Sequence, residues 1–127
     1  GELWNMIIVF LYDENNKYIS KKVNVLKDKI IKEVKHKHCS LEKCYIHTNV
    51  LLENPDKYCY YIVFSNDIRD IDSYIKKCNA ICNVAVVTSN LKVNHILGCI
   101  NFTTHLFYMK QNVNELCNKI IDFIYSE

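Results

Sequence analysis

The stretch YCYYIVFSNDIRDIDSYIKKCNAICNVAVVT, residues 58–88, carries the fold in one reading. Tyr58–Phe64 is aromatic and β-branched, the chemistry of a strand packing on a pleated surface. Ser65-Asn66-Asp67 breaks the run and supplies an N-cap, because a short polar side chain there accepts from the free amides of a starting helix. Ile68, Ile71, Ile75 and Cys78 then recur at helical spacing, and Asp67, Asp70 and Asp72 crowd the end where the helix dipole is positive. Ala80–Thr88 (AICNVAVVT) returns to strand chemistry and suits the centre of a sheet. A strand–helix–strand succession favours parallel neighbours joined by a right-handed crossover.

Toward the amino end, Met6–Tyr12 (MIIVFLY) is an almost wholly apolar run, a buried strand stopped by the turn residues Asp13-Glu14-Asn15-Asn16. Lys17–Val25 alternates weakly through Ile19, Val23 and Val25, which predicts a partly exposed edge strand. Leu26–His38 is an amphipathic helix: Leu26, Ile30, Ile31 and Val34 share one face, and Lys27, Lys29, Lys32, Lys35 and Lys37 occupy the others. Cys44–Leu52 has strand chemistry, and the turn Asn54-Pro55-Asp56 predicts that it forms a hairpin with Tyr58–Phe64. A second strand–helix–strand unit thus spans residues near 6–52.

Toward the carboxyl end, residues 89–99 read either as a loop or as a short helix capped by Asn90 and ended by Gly98. Cys99–Met109 alternates as a strand. Asn112-Val113-Asn114-Glu115 has capping-box spacing, with Asn in place of Ser or Thr, and opens a last helix reaching Tyr125. The expected fold is α/β: a mixed β-sheet of about five strands with three or four helices packed on its faces, in a single domain over residues 1–127. Gly1–Trp4 reads as the remnant of a tag, and the chain as a C-terminal fragment of a larger protein.

Net charge is +2, from 16 basic and 14 acidic residues, too near neutrality for a dedicated nucleic-acid clamp. The distribution is uneven. Residues 17–43 hold nine Lys against Asp28, Glu33 and Glu42, a local charge of +6 that leaves −4 for the remainder. The seven Cys, at 39, 44, 59, 78, 82, 99 and 117, lack the even spacing of a disulfide scaffold and read as thiols kept in a reducing compartment. No segment approaches the roughly 20 apolar residues of a membrane helix, so no membrane partner is expected.

Chemistry is sparse. Phosphate-binding loops need several glycines, and only Gly98 lies inside the expected fold, which argues against a nucleotide-binding enzyme. His36, His38, Cys39, Cys44 and His47 have zinc-compatible side chains but the spacing of no standard finger. They read more simply as a helix end decorated with His, followed by a strand with a buried thiol. Cys59, Cys82 and Cys99 lie in apolar strand patterns rather than the electropositive niche that activates a thiolate. The expectation is therefore a chain that is not an enzyme and needs no metal or cofactor.

Two surfaces remain. The Lys17–Lys43 segment, centred on Lys29, Lys32 and Lys35, could contact nucleic-acid backbone; no exposed aromatics interleave with its lysines, and its simpler reading is a solvated helix face. The last helix carries Val113, Leu116, Cys117, Ile120, Ile121, Phe123, Ile124 and Tyr125, more apolar residues than one core-facing stripe requires. Phe102, Leu106, Phe107 and Tyr108 precede them. A surplus of this kind suits a patch that receives a partner helix. The partner-binding residues expected are Phe102, Leu106, Phe107, Tyr108, Ile120, Ile121, Ile124 and Tyr125.

The stretches LYDENNKYISKK (11–22), NPDKYCYYIVFSND (54–67) and NELCNKIIDFIYSE (114–127) resemble the C-terminal domain of the poxvirus (vaccinia-like) DNA polymerase processivity-factor bridging subunit. The resemblance covers about Asn5 to Glu127 and rests on these stretches rather than on a diagnostic motif. It implies a domain that binds the catalytic DNA polymerase subunit through hydrophobic contacts to a helix. It also implies a uracil-DNA glycosylase bound by a further N-terminal region, DNA engaged only indirectly, and a place in the host cytoplasm at viral replication sites.

Overall fold

A computed structural model describes residues 5–37, 43–54, 58–78, 83–93 and 105–125. The elements are β1 (Asn5–Tyr12), α1 (Lys17–Lys37), β2 (Lys43–Thr48), β3 (Cys59–Phe64), α2 (Ile68–Lys77), β4 (Asn83–Thr88), β5 (His105–Tyr108) and α3 (Val113–Tyr125). The sheet order is β2-β1-β3-β4-β5, and every pairing is parallel. In register, Ile8 of β1 lies between Ile46 of β2 and Tyr60 of β3.

Each strand's burial explains its place. Met6 and Ile8 to Tyr12 of β1 are buried, and so are all six residues of β3. Strands of this kind need hydrogen-bonded neighbours on both sides and cover on both faces, which the middle of a parallel sheet supplies. β2 alternates instead: Cys44 and Ile46 pack inward while Tyr45 and His47 are exposed, as an edge strand permits.

The helices form two layers. α1 and α3 cover one face through Ile19, Val23, Leu26, Ile30 and Val34 on α1 and Leu116, Ile120, Phe123 and Ile124 on α3. α2 covers the other face through Ile71 and Ile75, with Val93 and Leu52 beside it.

The α/β class, the five strands and both strand–helix–strand units agree with the sequence reading; two local expectations do not. Lys17–Val25 is the first half of α1, not an edge strand. Ile19, Val23 and Leu26 are spaced four and three apart and continue into Ile30 and Val34, so the apolar stripe runs unbroken over about four turns. Asn16 starts it, its side chain accepting from Ile19 N at 3.1 Å and its carbonyl from Ser20 N at 2.9 Å. Nor do β2 and β3 form a hairpin: both run parallel to β1, on opposite sides of it. A hairpin would have made β3 the antiparallel neighbour of β2; instead β1 lies between them and pairs with both in parallel, so the sheet is parallel rather than mixed. Asp67 is the N-cap of α2 as expected, accepting from Arg69 N at 2.8 Å. Asn112 caps α3, accepting from Asn114 N at 2.8 Å.

Side-chain amides tie the carboxyl ends of the strands together. Asn49 takes the left-handed region (φ 54°), which Asn tolerates, and accepts from Tyr12 N at 2.8 Å, extending the β1–β2 ladder. Asn66 Oδ1 accepts from Thr88 Oγ1 at 3.1 Å and Ser89 N at 2.6 Å, joining the ends of β3 and β4. Lys22 does the same between layers. Its stem lies in the core, and Nζ donates to the carbonyls of Met109 and Gln111 (3.3 Å to the latter) in the β5–α3 turn. The ammonium also stands 5.4 Å from the centroid of the Tyr18 ring.

Lys22→Met keeps the apolar stem but strips both carbonyls of their donor. Unmet buried acceptors cost about 1–3 kcal/mol. Urea unfolding should show a loss of that size, and a parent-like midpoint would refute the bridging role.

Candidate partner-binding site

β5 lies at one border of the sheet, and β4 is its strand partner among the described residues. The period of two sends its side chains to alternate faces. Phe107 joins the α1/α3 core, while Leu106 joins the α2 side. On the first side the rings of His105, Phe107 and Phe123 form a cluster. The centroids of His105 and Phe123 are 4.9 Å apart, and Phe107 meets Phe123 edge-on at 6.3 Å. Phe123 is held from below by an edge contact with Tyr60 at 5.7 Å. An open cleft of about 430 Å³ lies over this cluster, bounded by His105, Leu106, Phe107, Phe123, Lys119 and Asp122. Leu106 and Phe107 also border a second cleft of about 200 Å³, completed by Thr88, Asn90, Leu91 and Tyr108. β5 is thus a wall with a depression on either side.

Among the described residues, the exposed large apolar side chains fall into three groups. Tyr18 and Val25 stand on α1; Tyr45, Val50 and Leu51 follow the β2 edge and the segment after it; Leu91 and Tyr108 stand at the ends of β4 and β5. The last pair is exposed by 77% and 48%, and it lines the second cleft.

The expected binding residues divide accordingly. Leu106, Phe107 and Tyr108 come together at the clefts. Phe102 lies outside the described residues. Ile120, Ile121 and Ile124 do not belong to the surface: they are exposed by 0%, 2% and 2% and fill the core. The apolar excess on α3 arises because the helix is enclosed on more than one side, by the sheet beneath and α1 alongside, so a wide stripe is consumed by packing. Tyr125 is half-buried at the end of α3. Burial, with Cys44 and Tyr60 nearby, pushes its phenol up to about 12. His105, Phe123 and Leu91 were not among the expected residues. Phe123 is part of the α3 apolar pattern, but nothing in the local sequence pairs it with His105.

The other sites expected from sequence also find their places. Lys32 and Lys35 are exposed on α1, and Lys29 is half-exposed. Tyr18 stands exposed beside Lys17, Lys21 and Lys22, so an aromatic does accompany the basic segment. Of the His/Cys group, His38 and Cys39 lie outside the described residues; His36 and His47 are exposed and Cys44 is partly buried. No group of three or more His, Cys, Asp or Glu among the described residues is placed to hold a metal. Burial pushes the Cys44 thiol up, with Lys35 opposing only in part, so a thiolate is disfavoured there. Cys59 and Cys117 are buried; Cys82 and Cys99 lie outside the described residues.

The strand order 2-1-3-4-5 places a topological switch point between β1 and β3, where doubly wound folds commonly hold ligands. A crevice of about 230 Å³ is there, bordered by Asp13, Asn16, Ser65, Asp67, Asp70 and Tyr74 among others. Its carboxylates repel phosphate, and two of them already serve the backbone: Asp13 accepts from Asn15 N and Asp67 from Arg69 N. Burial, with the carboxylates of Asp70 and Asp13 adding to it, pushes the Tyr74 phenol up. Comparison of the chain with family models, curated sequences and solved structures found no match.

Two outcomes separate core from surface. Ile120→Ala should cost about 2–5 kcal/mol of stability, as core truncations do. Tyr108→Ala should stay within about 0.5 kcal/mol, as exposed substitutions do. Urea unfolding measures both, and equal effects would contradict the placement.

The raised phenol of Tyr125 gives stability a pH dependence. Below pH 10 the group is protonated whether the chain is folded or not. Between pH 10 and about 12 the unfolded chain ionises first, so stability falls as pH rises; above that window the loss is constant. Tyr125→Phe should flatten this fall, leaving the part due to Cys44, Tyr12 and Tyr74, whose groups are also raised. An unchanged alkaline unfolding profile would rule this out.

Proposed function

We propose that this chain is a non-catalytic docking domain of a viral DNA polymerase processivity factor. It receives an apolar helix of the catalytic polymerase subunit on the two clefts flanking β5. It ties that enzyme to a uracil-DNA glycosylase held by a further region of the protein. The resemblance of residues 11–22, 54–67 and 114–127 to poxvirus bridging subunits supplies the identity of the partners. The observation that carries the reading is the aromatic wall of β5 with a depression on each side.

The physical argument is pre-organisation. His105, Phe107 and Tyr108 are on a strand and Phe123 is on a helix, so their positions are set before a partner arrives. Little side-chain freedom is then lost on binding, and apolar area is converted to affinity more fully. An amphipathic helix presents anchors at i, i+3 or i+4 and i+7, a spacing that can place two side chains in the two depressions. Docking of this kind needs no chemistry from the domain. Its effect is tethering, which raises the local concentration of polymerase near a DNA-bound partner. The acidic lining at the switch point and the suppressed Cys44 thiolate support a role without catalysis.

Leu91→Ser and Tyr108→Ala alter exposed side chains and leave the core intact. Each should weaken binding to the catalytic polymerase subunit by about tenfold in calorimetric titration, the 1.4 kcal/mol expected of an interface anchor. Tyr45→Ala and Val50→Ser, on the β2 border, should have no effect. Parent-like affinity for the double variant Leu91→Ser/Tyr108→Ala, or loss through the β2 pair instead, rejects the assignment.

A further inference from the structure

We propose that the outward face of α1 is a second binding surface, one that takes the phosphodiester backbone of nucleic acid without regard to sequence. The proposal rests on charge and geometry that the docking surface does not use. α1 carries eight Lys against Asp28 and Glu33, a charge of +6 on one helix, while the rest of the chain sums to −4. The apolar stripe of α1 is spent on the core, which fixes the opposite stripe to solvent.

That outer stripe is ordered. At about 100° per residue, Lys17, Lys21, Lys32 and Lys35 fall within an arc of about 60°. With a rise of 1.5 Å per residue they form a row about 27 Å long. All four are exposed, and Asp28 is the one acid in the row. Among the described residues no ion pair neutralises a lysine of this row; the ion pair present joins Lys76 to Asp72 on α2. The row is therefore four cations against one carboxylate, with no ion pair formed between them, which favours release of counterions from a polyphosphate.

The burial pattern also selects among polyanions. A helix that lies on an anionic membrane inserts a broad apolar face beneath its lysines. Here Ile19, Val23, Leu26, Ile30 and Val34 are buried against the sheet, and only Tyr18 and Val25 among the large apolar residues of α1 are exposed. Tyr18 and Val25 alone do not make the broad apolar face that a bilayer takes up. A backbone contacted only by charge suits the face as it stands.

The test is fluorescence anisotropy of this chain with labelled duplex and labelled single-stranded oligonucleotides over 50–200 mM salt. Four phosphate contacts predict a slope of log K against log salt of about −3.6 for duplex, or about −2.8 for a single strand. The duplex value corresponds to about a 100-fold loss of affinity over that range. Lys32→Gln/Lys35→Gln should shrink the duplex slope by about 1.8, reducing the loss to about tenfold. Lys77→Gln/Lys92→Gln removes the same charge from elsewhere and should leave the slope unchanged. Asp28→Asn removes the opposing charge and should tighten binding. The proposal is overturned by absence of binding at low salt, or by equal effects of the two double variants. It is equally overturned if polyglutamate or phosphatidylserine vesicles bind as tightly as the oligonucleotides and lose affinity in the same variants.

Discussion

β1 is hydrogen-bonded to a parallel strand on each side while helices or packed loops cover both its faces. Such a strand leaves no backbone group for water, and its side chains must be apolar in both directions; MIIVFLY meets that demand. Parallel pairing then dictates the connections, because the chain leaves each strand at one end of the sheet and must return to the other. α1 makes that return on one face and α2 on the other. The turns after β1, β2, β3 and β4 gather at one end, where Asn49, Asn66 and Asn90 bond backbone groups that the ladders no longer pair.

That end is where a doubly wound fold would place chemistry, yet here it is largely consumed by structure. Its carboxylates cap turns and a helix, and its amides join strands. The unspent surface lies elsewhere. β5 offers aromatic side chains at the border of the sheet, and α1 offers an exposed row of lysines. α1 and α3 lie side by side in one layer, with the β5 cleft along α3. A partner seated at β5 would therefore leave the outer face of α1 open. The two proposed surfaces can work at the same time, one by burial of apolar area and the other by counterion release.

Where a pattern was strong and local, the sequence was readable. Residues 58–88 combine a β-branched run, a capping Asp and an apolar period of three to four, and each signal agrees with its neighbours. Lys17–Val25 failed because three apolar residues in nine fit an alternating strand as well as the start of a helix. Only their continuity with Ile30 and Val34 decides, and Asn16, which begins the helix, looked like part of a turn. The hairpin failed for another reason. Asn54-Pro55-Asp56 signals a reversal, but a reversal does not say which neighbour the next strand takes. The clefts were legible in part: Leu106, Phe107 and Tyr108, expected to bind a partner, border them, whereas Ile120, Ile121 and Ile124 are buried in the core.

Composition and periodicity alone determined that the chain is α/β, that its strands are too apolar for exposure, and that α1 would be basic. These follow from quantities local to a few residues: side-chain volume, branching, charge and spacing. Which strand sits beside which, and which oily residues are left outside, are set by long-range packing. Ile124 and Leu91 are equally apolar in the sequence, but α3 is enclosed by the sheet and α1 whereas the segment after β4 is not. Enclosure depends on elements a hundred residues apart in the chain, and no local window contains it.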